Sequence, residues 1–335
     1  MKPQSSSSSS TQGRGDGRGY TENHVRRDEA STHQMTYVHD QQCTLPAAVE
    51  IGDLTLVRQL LEAQASVEAH NIIHRRPLHI AAKCGHSAVL QALLGANADI
   101  DAVDADNNTP LLLAAAAGEE QVVRILVREK ASIDVQNRYG VTPLMNAVAK
   151  QELAIIELLI DSSASVDIKD THFGETALVT ALKTGNTEIV ALLAAAGADV
   201  DVLTAAGHTP TILAAKTGDE PMLRELIDHG ARINECDGRK RNALMWAVRN
   251  RHVHSVRTLL SARAAVSAED EDDVTALMMA VQKYTHERPY YVENEEDVTA
   301  IVTALMFAMR EESIADSGSR KCPARIRKRK RRAEG

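Results

Sequence analysis

From residue 44 onward the apolar positions fall into short blocks that return at a nearly constant spacing. Arg76-Pro77-Leu78-His79-Ile80-Ala81-Ala82 is followed by Thr109-Pro110-Leu111-Leu112-Leu113-Ala114-Ala115 and Thr142-Pro143-Leu144-Met145-Asn146-Ala147-Val148. Later blocks open Thr176-Ala177-Leu178, Thr209-Pro210-Thr211, Asn242-Ala243-Leu244 and Thr275-Ala276-Leu277. Their second positions are separated by 33, 33, 34, 33, 33 and 33 residues. One more step back reaches Thr44, so eight units are read. Self-similarity at such a period is the signature of a stacked-repeat architecture.

The columns of the repeat explain its shape. Alanine stands at 48, 81, 114, 147, 181, 214, 247 and 280, where a longer side chain would overpack two close helices. Leucine stands at 60, 93, 126, 159, 193, 226 and 259, three residues after Val57, Leu90, Val123, Ile156, Val190, Leu223 and Val256. Apolar residues at i, i+3 and i+4 make one helical face. Gly52, Gly85, Gly118, Gly185 and Gly218 lie between the two helical stretches and suit a left-handed helix end. Gln151, Arg251 and Tyr284 take that place in three units, where strained or differently shaped ends are expected. Each unit reads as turn, helix, short turn, helix, extended loop.

This pattern resembles the ankyrin repeat family. The resemblance is carried by Pro77-Leu78-His79, the alanine column, the glycine turns and Gly197-Ala198-Asp199-Val200-Asp201. It implies an all-α solenoid of stacked helix-turn-helix units with β-hairpin-like loops, spanning residues 40–283. It also implies a structural hydrogen-bonding role for His79 and a partner-binding concave face of first helices and loop tips. Departures cluster at the ends, as capping repeats allow. The first unit lacks the entry proline, and the fifth carries one extra residue near Asp170 to Phe173. Residues 284–316 are expected to form an acidic loop and a closing helix with Val298, Ile301, Val302, Leu305, Met306 and Met309 at helical spacing.

Composition fits thin layers. Of 335 residues only 9 are aromatic, so large rings do not fill a common core. No apolar run approaches the ~18 residues of a membrane span. Met1-Lys2-Pro3-Gln4 and six serines hold no apolar signal core, and four scattered cysteines form no C-x-x-C, so an intracellular, reduced setting is expected. Residues 1–39, rich in Ser, Gly and Arg, are read as a disordered arm. Residues 317–335 are read as a disordered basic tail. The net charge of −8 hides its asymmetry, because residues 320–335 carry +8 and the rest −16.

No catalytic constellation emerges. The chain has no phosphate loop, no H-E-x-x-H and no G-x-S-x-G. Asp104-Ala105-Asp106 opens like a calcium loop, but Thr109 and Ala115 occupy its glycine and glutamate places. His252-Val253-His254 lacks a third ligand nearby. Neither a metal nor a cofactor is expected, and no small-molecule substrate.

Surface residues remain. Lys83, Lys150, Lys183, Lys216, Arg249 and Lys283 end first helices, and stacking would align them into a positive stripe for an acidic partner. The same cations would also complement helix dipoles. Tip residues Arg75, Arg138, Tyr139, His172, Phe173, Arg239 and Arg241 complete the candidate surface. Tyr139 and Phe173, on adjacent tips, fit either a binding hot spot or a seam between loops. The acidic run Glu269 to Asp273 reads as a solvated loop. Arg325, Arg327, Lys328, Arg329, Lys330, Arg331 and Arg332 read as a nuclear-import-like tail, with a nucleic-acid contact as the alternative. The expected function is a non-enzymatic, monomeric protein-interaction scaffold in the nucleus and/or cytoplasm. The alternatives are a nuclear regulator contacting nucleic acid through the tail, or a targeting subunit of an enzyme complex. No membrane association is expected.

Overall fold

The computed structural model describes residues 44–71, 73–286 and 295–319. The chain divides into Met1–Thr44 and Leu45–Gly335, and every helix described below lies in the second unit. The arm at 1–39, Ile72, the loop at 287–294 and the basic tail from 320 lie outside the described residues.

Sixteen helices occur among the described residues, in eight consecutive pairs. The first five pairs are α1 Leu45–Ile51 with α2 Leu54–Glu62, α3 Pro77–Lys83 with α4 Ser87–Gly95, α5 Pro110–Ala117 with α6 Glu120–Arg128, α7 Pro143–Lys150 with α8 Leu153–Asp161, and α9 Ala177–Thr184 with α10 Thr187–Ala195. Then come α11 Pro210–Thr217 with α12 Glu220–Asp228, α13 Ala243–Arg249 with α14 Val253–Ser261, and α15 Ala276–His286 with α16 Glu295–Ser319. Seven pairs keep the repeat length. The eighth does not, since α16 has 25 residues where every other second helix has 9. A count of eight full repeats is therefore slightly high.

The local chemistry sets the helix bounds. Thr109, Thr142 and Thr209 each accept a hydrogen bond from the backbone N–H three residues on, at 3.3, 3.2 and 3.2 Å, and a proline follows with its φ already helical. Thr176 precedes Ala177 instead of proline; it caps nothing, and its buried hydroxyl makes no hydrogen bond. Gly118 ends α5 at φ +82°. Gln151 ends α7 in the same left-handed form at φ +61°, so the fourth unit keeps the shape of the turn and accepts the strain. Arg251 likewise has φ +62°, whereas α15 runs through 284 without such an end.

The core is the set of columns. The alanine column is nowhere more than 6% exposed, and Val57, Leu90, Val123, Ile156, Val190, Leu223 and Val256 are fully buried. Each first helix packs on its own second helix and on the first helices of neighbouring units. At the end of the stack α16 packs on α14 and α15 through Ile301 and Leu305. The described loops contain no strand, only antiparallel bridges between Cys236 and Asn242 and between Glu269 and Thr275.

Candidate protein-interaction surface

The loop tips are built on an Asp/Asn column. Asn71, Asp104, Asn137, Asp237 and Asp270 each accept, through one side-chain oxygen, the backbone N–H groups two and four residues on. Asp170 accepts from His172, Phe173 and Gly174, and Thr204 accepts from His208. These are Asx turns, in which a side chain replaces the missing backbone partner. Successive tips are tied to one another. Ala105 N donates to Ile73 O, Arg138 N to Asp106 O, Thr171 N to Tyr139 O and Glu271 N to Arg239 O. The sequence reading missed this column, although an acidic or amide residue returning every 33 positions was visible.

Several candidate contact residues serve these joints. Arg75 Nε pairs with Asp104 Oδ2 of the next tip at 3.2 Å, with 20% of its side chain exposed. Burial pushes the Asp104 carboxyl up, but hydrogen bonds from Asn108, Asp106 and Arg75 outweigh it and hold the group below its ordinary range. Arg241 is 13% exposed and pairs with Asp237 Oδ2 at 2.9 Å. Arg239 faces Glu271 of the following tip at 3.4 Å.

Tyr139 and Phe173 are 46% and 56% exposed, each just before a left-handed glycine. A Cβ at Gly140 would stand 2.4 Å from Thr171 N, so the glycine lets the two tips meet. The Arg138 guanidinium lies 4.6 Å from the centre of the Tyr139 ring, contacts its hydroxyl, and pairs with Asp106 Oδ1 at 2.7 Å. The His172 ring meets the Phe173 ring edge to face at 4.3 Å. Lys183 Nζ lies 5.7 Å from the Phe173 ring and pairs with the buried Glu175. Both aromatics keep an open face while a cation fixes them on one side.

The basic stripe has a stricter register than the sequence reading assumed. Lys83, Lys183, Lys216 and Arg249 are each the seventh residue of a first helix, whereas Lys150 is the eighth. One residue turns a side chain about 100° around a helix. Ala116 and Ala149 hold the seventh place in the units between. Among the described side chains an unbroken stripe therefore exists only in the fifth, sixth and seventh units. The Lys283 side chain lies outside the described ones.

That stripe borders Trp246, which is half-buried on α13 at the place held by Leu213 on α11. Trp246 Nε1 donates to Asp237 Oδ2 at 3.0 Å. Arg241, Lys216 and Arg249 place cationic groups 4.3, 5.0 and 5.5 Å from the ring centre. The His208 ring meets the indole at 5.7 Å, tilted 76°. Burial, then Lys216 and Arg241, push the His208 imidazole below its ordinary range against Asp237. The sequence reading did not assign Trp246 a binding role, because its neighbours come from three separate stretches.

Among the described residues no group of three or more His, Cys, Asp or Glu side chains could hold a metal, and no helix is long and apolar enough to cross a membrane. A groove of about 880 Å³ runs between α14 and α16 beside the exposed Phe307, lined by alanines and threonines of α16 with Leu260 and by the charged Arg257, Glu296 and Glu311. The import-like residues from Arg325 to Arg332 lie outside the described residues.

No curated relative matches the chain. A family model for ankyrin repeats matches at residues 45–137, 78–170, 164–237 and 212–293. Together these matches cover well over half of the sequence and coincide with the stacked helix pairs. The chain belongs to the ankyrin repeat family, whose repeats generally serve as protein-interaction modules rather than as enzymes.

Proposed function

We propose that the protein is a non-enzymatic, monomeric scaffold that captures a partner protein on the concave surface of its first helices and loop tips. The carrying observation is the exposure of Tyr139 and Phe173 on tips locked by Asx turns and inter-tip hydrogen bonds. A surface that is already ordered loses little entropy on binding, and exposed aromatics beside cations are the residue types that dominate interface energies. Arg138, His172 and Lys183 hold the rings and line the same patch.

The basic tail supports a nuclear and cytoplasmic distribution, with residues 325–332 engaging an import receptor. Its +8 charge beside a −16 remainder favours a short separate recognition element over a general polyanion surface. Affinity capture with the full chain, with Tyr139→Ala/Phe173→Ala, and with residues 320–335 removed tests both parts. The double substitution is expected to weaken capture at least tenfold with unchanged helix content. The truncation is expected to abolish nuclear accumulation and to leave capture intact. Undiminished capture by the double variant would show that the tips are not the contact surface.

A further inference from the structure

We propose that Trp246 forms the floor of a subsite on the inner helices of the sixth and seventh units that receives an acidic segment of a partner protein. The inference rests on the scaffold reading above and names the chemistry of the partner at one place on it.

The indole is oriented before any partner arrives. Its Nε1–H is held by Asp237, and one edge meets His208. Asp237 is fully engaged. One oxygen accepts the backbone N–H groups of Arg239 and Arg241, and the other accepts from the Arg241 guanidinium and from Trp246. It therefore offsets Arg241 and leaves the Lys216 ammonium as net positive charge beside the ring.

Lys216 differs from its stripe neighbour Lys183. Lys183 Nζ is paired with Glu175, whereas among the described residues no carboxylate lies within ion-pair distance of Lys216 Nζ. The ring quadrupole instead draws this ammonium to the indole at 5.0 Å. A cation held there by a ring is positioned at little further ordering cost when a carboxylate arrives, and charge-assisted hydrogen bonds are the stronger kind. A cationic ligand would meet three cations already gathered at the ring. An apolar one would leave Lys216 uncompensated.

A short acidic peptide fits better than a nucleic acid. Outside residues 320–335 the chain carries −16, and Glu271 stands against Arg239 beside the cluster. A phosphate backbone would extend past the few local cations into that field. A peptide needs to present only one or two carboxylates, with neighbouring apolar groups against the open part of the indole.

The chain has 1 tryptophan, so its emission reports this subsite alone. The full chain is titrated at low salt with a peptide of alternating glutamate and glycine. A glutamine–glycine peptide and a deoxythymidine oligomer serve as comparisons. Saturable change in Trp246 emission is expected with the glutamate peptide only. Lys216→Gln, an exposed position where folding is not at risk, should weaken it about tenfold, and Lys183→Gln by no more than about twofold. Tyr139→Ala/Phe173→Ala should leave the titration unchanged, which separates this subsite from the tip surface. The proposal is overturned if the glutamate peptide gives no saturable change, if Lys216→Gln binds it as well as the parent does, or if the oligomer binds in preference.

Discussion

The inner units and the last unit carry the same residues at the same helix positions and treat them differently. His79, Leu112, Met145, Val179, Ile212 and Met245 form one column and are at most 5% exposed. Met278, the next member, is 48% exposed. A companion column of Ala82, Ala115, Val148, Leu182, Ala215 and Val248 is at most 8% exposed and ends in Val281 at 46%. Met245 and Met278 are the same side chain on equivalent helices. Among the described residues a further helix pair follows Met245 and none follows Met278. Burial of these two columns belongs to the joint between units rather than to any one unit, which is why stability in such stacks is written with a term for each pair of neighbours.

The largest test of that comparison substitutes the two methionines in parallel. Met245→Ala should cost about 2–5 kcal/mol, the range for large-to-small changes in a packed core. Met278→Ala should cost less than about 1 kcal/mol, because little packing is lost at an exposed site. Urea midpoints at constant m-value measure both. Equal losses would mean that Met278 is buried in solution and that the last unit is completed in some way similar to the inner ones.

A smaller effect distinguishes the fourth unit from the fifth. Thr142 caps α7 and accepts from Met145 N at 3.2 Å, so Thr142→Ala should cost about 1 kcal/mol. Thr176 buries a hydroxyl that makes no hydrogen bond. Thr176→Val removes that unpaired group at nearly constant shape and should be neutral or stabilising by up to about 1 kcal/mol. Thermal melts of the two variants against the parent decide it. A clear loss on Thr176→Val would show that the hydroxyl is satisfied and the cap intact.

These contrasts also show where the sequence was readable. The repeat length, the alanine and leucine columns and the helix bounds were legible because each depends on residues within one unit. The interactions missed or misplaced cross between units. The pairing of Arg75 with Asp104 joins tips 29 positions apart, and the gathering of Lys216, Asp237 and Arg241 at Trp246 needs three segments folded together. Lys150 ends its helix and so resembles a stripe residue, yet it sits one residue later than Lys183 does. Counting from the N-cap threonine would have exposed the shift. That Thr176 does not cap its helix, as Thr142 and Thr209 do, depends on local geometry that spacing does not carry.

The smallest expected effect lies at the first end of the stacking column. His79 is fully buried, with Nε2 donating to Asn108 O at 3.0 Å and Nδ1 accepting from Arg76 N at 3.3 Å. That arrangement requires the neutral ring, since a proton on Nδ1 would displace the Arg76 contact. Burial, only partly offset by hydrogen bonds and Asp104, pushes the His79 imidazole below its ordinary 6.5. The unfolded chain therefore takes up this proton first as the pH falls. The stabilisation is full above the ordinary value and is lost as pH drops below it toward the folded-state value. Unfolding midpoints taken from about pH 7.5 to about pH 5.5 should fall more steeply for the parent than for His79→Gln, which cannot titrate. His208, also pushed down, adds a second share that His208→Gln removes in parallel. If His79→Gln and the parent lose stability in step, the buried end of the column does not suppress protonation. Its difference from the exposed end would then be packing alone.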